Sequence, residues 1–206
     1  MNDTRNEFAA PLDSATAGRL EFGRGAYNIV IHADTSTDDL YRARFEGTAP
    51  DIRVEDGTIR VDYPRTWRSL DWRRHSADVA LNAAVPWGVD VRGGAYQIEA
   101  DLSSLRLEAF RIDGGASEVE LTLAEPSGTV SIRIEGGANN LRVRHPVGVA
   151  ARLYVDAGAS KLAFDDQHLG AVGGETTLES GNYTDATDRY EITMTGGANN
   201  VSVLTT

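Results

Sequence analysis

Four histidines (His32, His75, His145, His168) and 31 carboxylates are the side chains of this 206-residue chain that could move protons or hold a cation. The histidines are scattered, with no HExxH or similar ligand spacing. Asp165, Asp166 and His168 lie close together and could ligate a cation; the alternative is a solvated turn. Asp34, Asp38 and Asp39 raise the same possibility more weakly. Neither GxSxG nor a Ser-His-Asp order is present. Cysteine is absent, which removes Cys-based zinc sites and disulfides. GGANN occurs at 136–140 and 196–200, but without the Lys-Ser/Thr or the helix start that a phosphate cradle needs. The expectation is therefore a protein that is not an enzyme, with no catalytic residue, cofactor or metal. A carbohydrate-active β-helix, in which stacking joins distant carboxylates, is the enzymatic alternative.

One segment suits recognition. RTWRSLDWRRH (65–75) packs four Arg and two Trp into eleven residues, a local charge of +3 in a chain of net charge −11. Trp and Arg dominate binding hot spots because they combine large contact area with directional hydrogen bonds. Trp67, Arg68, Trp72, Arg73 and Arg74 are the candidate partner-binding residues. In the competing structural reading, Trp67 and Trp72 cover an open end of the fold while the arginines neutralise nearby acids. Nucleic acid or anionic lipid is the third reading, and the overall negative charge opposes it. A protein partner or self-association is expected instead.

The elements that would carry these residues are strands. Apolar residues do not recur at helical spacing over any long window, whereas Val, Ile, Thr and Tyr fall in short alternating runs. Twenty-one glycines point to many tight turns. The first twenty residues have no apolar core of a signal peptide, and no run of about 18 apolar residues occurs. The expectation is a cytoplasmic chain with no direct membrane insertion.

GGANN is one of six related corners: 24–28, 93–97, 114–118, 136–140, 157–161 and 196–200. Their central alanines are Ala26, Ala95, Ala116, Ala138, Ala159 and Ala198, with three consecutive gaps of 21, 22 and 21 residues. Such a period marks a solenoid-like array. The outer gaps of 69 and 39 residues are near three and two such units. Positions six and four before each alanine, and three and five after it, are apolar in every copy, as in Ile132, Ile134, Leu141 and Val143. A strand is thus expected on each side of every corner. The glycine before each alanine is expected to supply a positive φ, and the Asn or Ser that follows could form a polar ladder through the stack.

Outside this pattern, Asp56-Gly57 between alternating runs predicts a two-residue hairpin. The C-terminal VSVLTT is expected to leave an edge strand or a stack end free for self-association. No Pro- or Ser-rich linker interrupts the chain, so 1–206 reads as one β-solenoid-like domain. Within it, residues 1–17 are expected to be flexible. Residues 18–80 hold the first repeat, the hairpin and the Trp/Arg segment, and 81–206 the regular repeats.

The stretches VPWGVDVRGGAYQIEADLSSLRLEAFRIDGGASEVELTL, IRIEGGANNLRVRHPVGVAARLYVDAGASKLAF and NYTDATDRYEITMTGGANNVSVL, with LEFGRGAYNIVI near the start, resemble the toast-rack domain family. That domain forms the C-terminal part of bacterial cell-wall-antibiotic and envelope stress response proteins, and related solenoids are described as proposed adhesins. The resemblance implies a twisted stack of short strands. It also implies a non-catalytic role in envelope stress signalling or, as the alternative, in attachment outside the cell, with no catalytic residues to transfer.

Overall fold

The computed structural model of the chain describes residues 6–23, 26–47, 49–63 and 76–206. Among them there is no helix; all strands join one 17-stranded, nearly closed, barrel-like sheet. Two hydrogen-bonded ladders make up its walls. The first runs β5 (Asp51–Glu55), β6 (Thr58–Asp62), β2 (Gly18–Phe22), β8 (Trp87–Val91), β10 (Leu107–Ile112) and β12 (Thr129–Ile134). It continues through the first halves of β17 (Arg189–Thr205) and β14 (Ala150–Phe164) to β16 (Thr176–Glu179). The second runs β1 (Asn6–Pro11), β4 (Asp39–Glu46), β7 (Ser76–Asn82), β3 (Ala26–Asp34), β9 (Ala95–Leu102), β11 (Ala116–Leu123) and β13 (Ala138–His145). The second halves of β17 and β14 follow, then β15 (Gln167–Val172).

Each interior rung leaves the first ladder, crosses a corner and enters the second, always in the same sense, so neighbouring rungs pair parallel. Antiparallel pairing is confined to the margins of the stack: β5 on β6, β1 on β4, β4 on β7, and β15 and β16 on β14. Asp56 and Gly57 close the β5–β6 hairpin with φ of 48° and 76°, the left-handed pair that a two-residue turn requires.

The corner alanines lie in one row: Ala26 pairs Ala95, then Ala116, Ala138, Ala198 and Ala159. This order corrects the expectation of a sequential stack. The last rung, β17, is inserted between β13 and β14. The long gaps are therefore not whole repeats. The 39-residue gap carries β15 and β16 outside β14, and the 69-residue gap carries β4–β7 on the far side of β2 and β3. It follows that VSVLTT is not an edge. Val201 and Val203 pair with Leu141 and Val143 on one side and with Leu162 and Phe164 on the other.

The apolar positions flanking the alanines all face one core, none more than 2% exposed. The positive φ is not where the glycines suggested. It falls two residues after each alanine, at Asn28, Gln97, Glu118, Asn140, Lys161 and Asn200, with φ between 51° and 55°. These residues are skipped in every rung's register; Ser117 pairs Asn139 and Val119 pairs Leu141, with nothing assigned between. The skipped residue shifts the in–out alternation by one place. That is why apolar positions sit at even offsets before the alanine and odd offsets after it.

A Cβ on Gly94, Gly115 or Gly197, immediately before the alanine, would meet only ordinary contacts at 3.5 Å, and it is the glycine one place earlier that answers a different need. A Cβ on Gly136 would stand 2.8 Å from backbone atoms of Gly114 and Gly115, and one on Gly196 2.5 Å from the Gly137 nitrogen. Successive corners approach backbone to backbone, and only hydrogen fits between them.

Candidate binding surface

Outside the core, the corner row carries two polar ladders. At the position after the alanine, Asn139 Nδ2 donates to Ser117 Oγ at 3.4 Å, Asn199 Nδ2 to Asn139 Oδ1 at 2.7 Å, and Ser160 Oγ to Asn199 Oδ1 at 2.7 Å. At the next position, Asn200 Nδ2 donates to Asn140 Oδ1 at 2.6 Å, and Asn140 Nδ2 donates to Glu118. Stacked amides satisfy one another, so each rung fixes the side chains of the next. On the early rungs the first position is aromatic, with Tyr27 opposite Tyr96.

The flat walls are charged and largely paired. Glu21 is buried among arginines: Arg60 reaches it at 2.8 Å and Arg92 at 3.2 Å, and Arg19 bonds Asp90 beside them. An open groove of about 460 Å³ lies over this cluster, lined by Arg19, Glu21, Arg53, Glu55 and Arg60. On the second wall Arg144 binds Glu120, holding its carboxyl below the usual range, and Arg142 adds a contact at 3.1 Å. Near the β16–β17 connection, Tyr183 Oη donates to Glu191 at 2.6 Å under the guanidinium of Arg152, 4.1 Å from the ring centre. Burial, with the Glu191 bond adding to it, pushes the phenol up to about 12.

Asp165 and Asp166 form the turn between β14 and β15, with Asp165 at φ 47°. The Asp165 carboxylate accepts the Thr205 amide at 3.1 Å, while Asp166 and His168 are exposed. No trio of His, Cys, Asp or Glu among the described residues is placed to hold a metal ion. Asp34 is a turn cap: it accepts the Ser36 amide and hydroxyl, both at 2.8 Å, and these bonds lower its pKa. Asp39 pairs with Arg42 at 2.7 Å. The five partner-binding candidates, Trp67, Arg68, Trp72, Arg73 and Arg74, lie outside the described residues. Their segment lies in the sequence between β6 of one ladder and β7 of the other.

Two features escaped the sequence reading. His145 is 1% exposed, with Asp165 Oδ1 3.5 Å from Nε2, too long for a good hydrogen bond, and neither ring nitrogen has a hydrogen-bond partner among the described residues. Burial lowers its pKa, and Asp165 offsets part of that. Asn82 is also buried: its amide donates to the Thr37 and Asp39 carbonyls at 3.0 and 2.8 Å, and its oxygen accepts the Ala84 amide. Lone His and Asn residues inside strand patterns carry no periodic signal, so position alone could not mark them.

Parallel rungs, a common corner row and walls of mutually paired polar groups define an all-β stacked-strand module. The chain belongs to the toast-rack family: the model of the N-terminal domain of toast_rack, DUF2154, matches residues 2–144. A solved structure from Clostridium sporogenes, described as a proposed cell adhesion protein, is similar with TM-score 0.73 at 17% identity, over 98% of this chain and 99% of that one. Proposed adhesins from Bacteroides fragilis (TM-score 0.39, 8% identity, 100% of this chain and 98% of that one) and Parabacteroides merdae (0.30, 9%, 100% and 97%) also align. No curated protein matches the chain.

Proposed function

We propose that this chain is a non-enzymatic protein-binding module, cytoplasmic and linked to the bacterial envelope stress response, with adhesin-type attachment as the second reading. The observation that carries it is the engagement of outward polar side chains with one another along the stack. Ser117, Asn139, Asn199 and Ser160 brace successive corners, and Glu21 and Glu120 are held by arginines. Groups fixed in this way make a rigid, patterned surface; a proton-transfer site needs one titratable group left free to act. Membership of the toast-rack family supports the envelope role, and the architecture shared with the Clostridium protein supports attachment. We read the chain as one unit, a solenoid-like array with a repeat of about 21 residues turning at glycine-alanine corners.

Trp67, Arg68, Trp72, Arg73 and Arg74 are the proposed contact residues. They form a cationic, aromatic stretch of sequence between β6 and β7 of an acidic protein. Immobilised wild type and the Trp67→Ala/Arg73→Glu double variant are compared for envelope proteins captured from cell extract. Loss of a specific captured protein in the folded variant is expected; identical capture removes the segment from this role. Cell fractionation separates the two readings, since attachment requires exposure outside the cell.

A further inference from the structure

Four strands have a neighbour on one side only among the described residues: β1 and β5 at one end of the stack, β15 and β16 at the other. A bare edge offers unpaired N–H and C=O groups, and proteins blunt such edges with charge, proline or very short strands. Three of the four are treated this way. β1 carries Glu7 and ends on Pro11, β5 carries Asp51, Arg53 and Glu55, and β16 has four residues including Glu179, which Arg152 holds at 2.6 Å. β15, QHLGAV, has no carboxylate, lysine, arginine or proline. Four of its six residues are exposed, and Leu169 lies half-buried against the margin of the core. At Gly170 nothing stands within 4 Å of where a Cβ would be.

We propose that β15 is the docking edge for a second copy of this chain, the two β15 strands pairing antiparallel across a twofold axis. The proposal names the partner for one edge of the binding module and rests on that reading. Charge selects the occupant. Two copies of a chain of net charge −11 that met at β1, β5 or β16 would bring carboxylate-bearing edges together, whereas β15 meets its twin with no carboxylate, lysine or arginine on either strand. A twofold axis across an edge requires antiparallel pairing, the same sense in which β15 already pairs with β14. With the axis through Gly170, the two glycines lie directly opposite each other and no side chain stands between the strands at the centre.

Light scattering over a dilution series of the full chain tests this, with circular dichroism checking each variant's fold. Gly170→Glu puts a carboxylate on both strands beside the axis, in space that is open in the single chain. Wild type is expected to rise to twice the single-chain mass at the concentrated end and Gly170→Glu to stay at one. An equimolar mixture of Gly170→Glu and Gly170→Lys should regain the doubled mass. A single-chain mass for wild type throughout, or a doubled mass undiminished by Gly170→Glu, overturns the proposal. Since the chain has no cysteine, Gly170→Cys should cross-link as a dimer on mild oxidation and Arg53→Cys on β5 should not; the reverse also overturns it. A monomeric result leaves partner capture by the 65–75 segment standing, because the Trp67→Ala/Arg73→Glu comparison reads that separately.

Discussion

Two residues in each corner set the geometry of the stack. At Gly114, Gly136 and Gly196, two places before the alanine, neighbouring backbones come too close for a Cβ, and the residue two places after the alanine takes the left-handed conformation. The glycines stand out in the sequence, but the positive φ belongs to that later residue. The information for the correct placement was present: an even offset before the alanine and an odd one after it demand one unpaired residue between. Asn, the non-glycine residue most at ease in that conformation, stands there at Asn28, Asn140 and Asn200. The steric argument has a direct consequence. Gly196→Ala must push a methyl against the Gly136 and Gly137 backbone and is expected to destabilise the protein by about 1–3 kcal/mol. Gly170→Ala meets open space and should cost far less. Denaturant midpoints of the two variants check the contrast; equal losses would refute close approach as the reason for the glycine.

At the level of elements, β13, β14 and β17 meet at their C-terminal ends around His145. Its folded-state pKa lies below the ordinary value because the buried ring resists charge, while the unfolded chain takes a proton near pH 6.5. Stability is therefore full above that pH. It falls as the pH drops below it, by at most about 1.4 kcal/mol per pH unit for one proton. Wild type should unfold at lower denaturant at pH 5 than at pH 7, and His145→Leu should flatten that difference; an unchanged slope in the variant would assign the acid sensitivity elsewhere. The strands themselves were legible, since period-two alternation reports one buried face, and the β5–β6 turn could be read from Asp56-Gly57. The placement of β17 was not. Parallel pairing between repeats with nearly identical apolar positions is satisfied equally well in several orders. The choice rests on long-range contacts: β15 and β16 fold back antiparallel on β14 and close off its place as the next interior rung.

The whole molecule is a stack whose interior rungs are braced twice, by a continuous core within and by amide ladders at the corners. That construction suits a surface held in fixed register for recognition: the corner amides of the later rungs pair with one another, and Glu21 and Glu120 are held by arginines. The candidate contact segment was conspicuous in the sequence through its Trp and Arg content, whereas the bare β15 edge was not, because edge status belongs to topology. Strand order is the claim on which the surface and the edges both depend, and paired cysteines in this cysteine-free chain read it directly. Asn139 and Asn199 face each other on adjacent strands, about 4.8 Å apart along the ladder, whereas Asn139 and Ser160 are two strands apart, roughly 9.6 Å. Disulfide reach ends near 7 Å between Cα atoms. The Asn139→Cys/Asn199→Cys variant should oxidise to an intramolecular disulfide and Asn139→Cys/Ser160→Cys should not; a disulfide in the second pair and none in the first would contradict the inserted last rung.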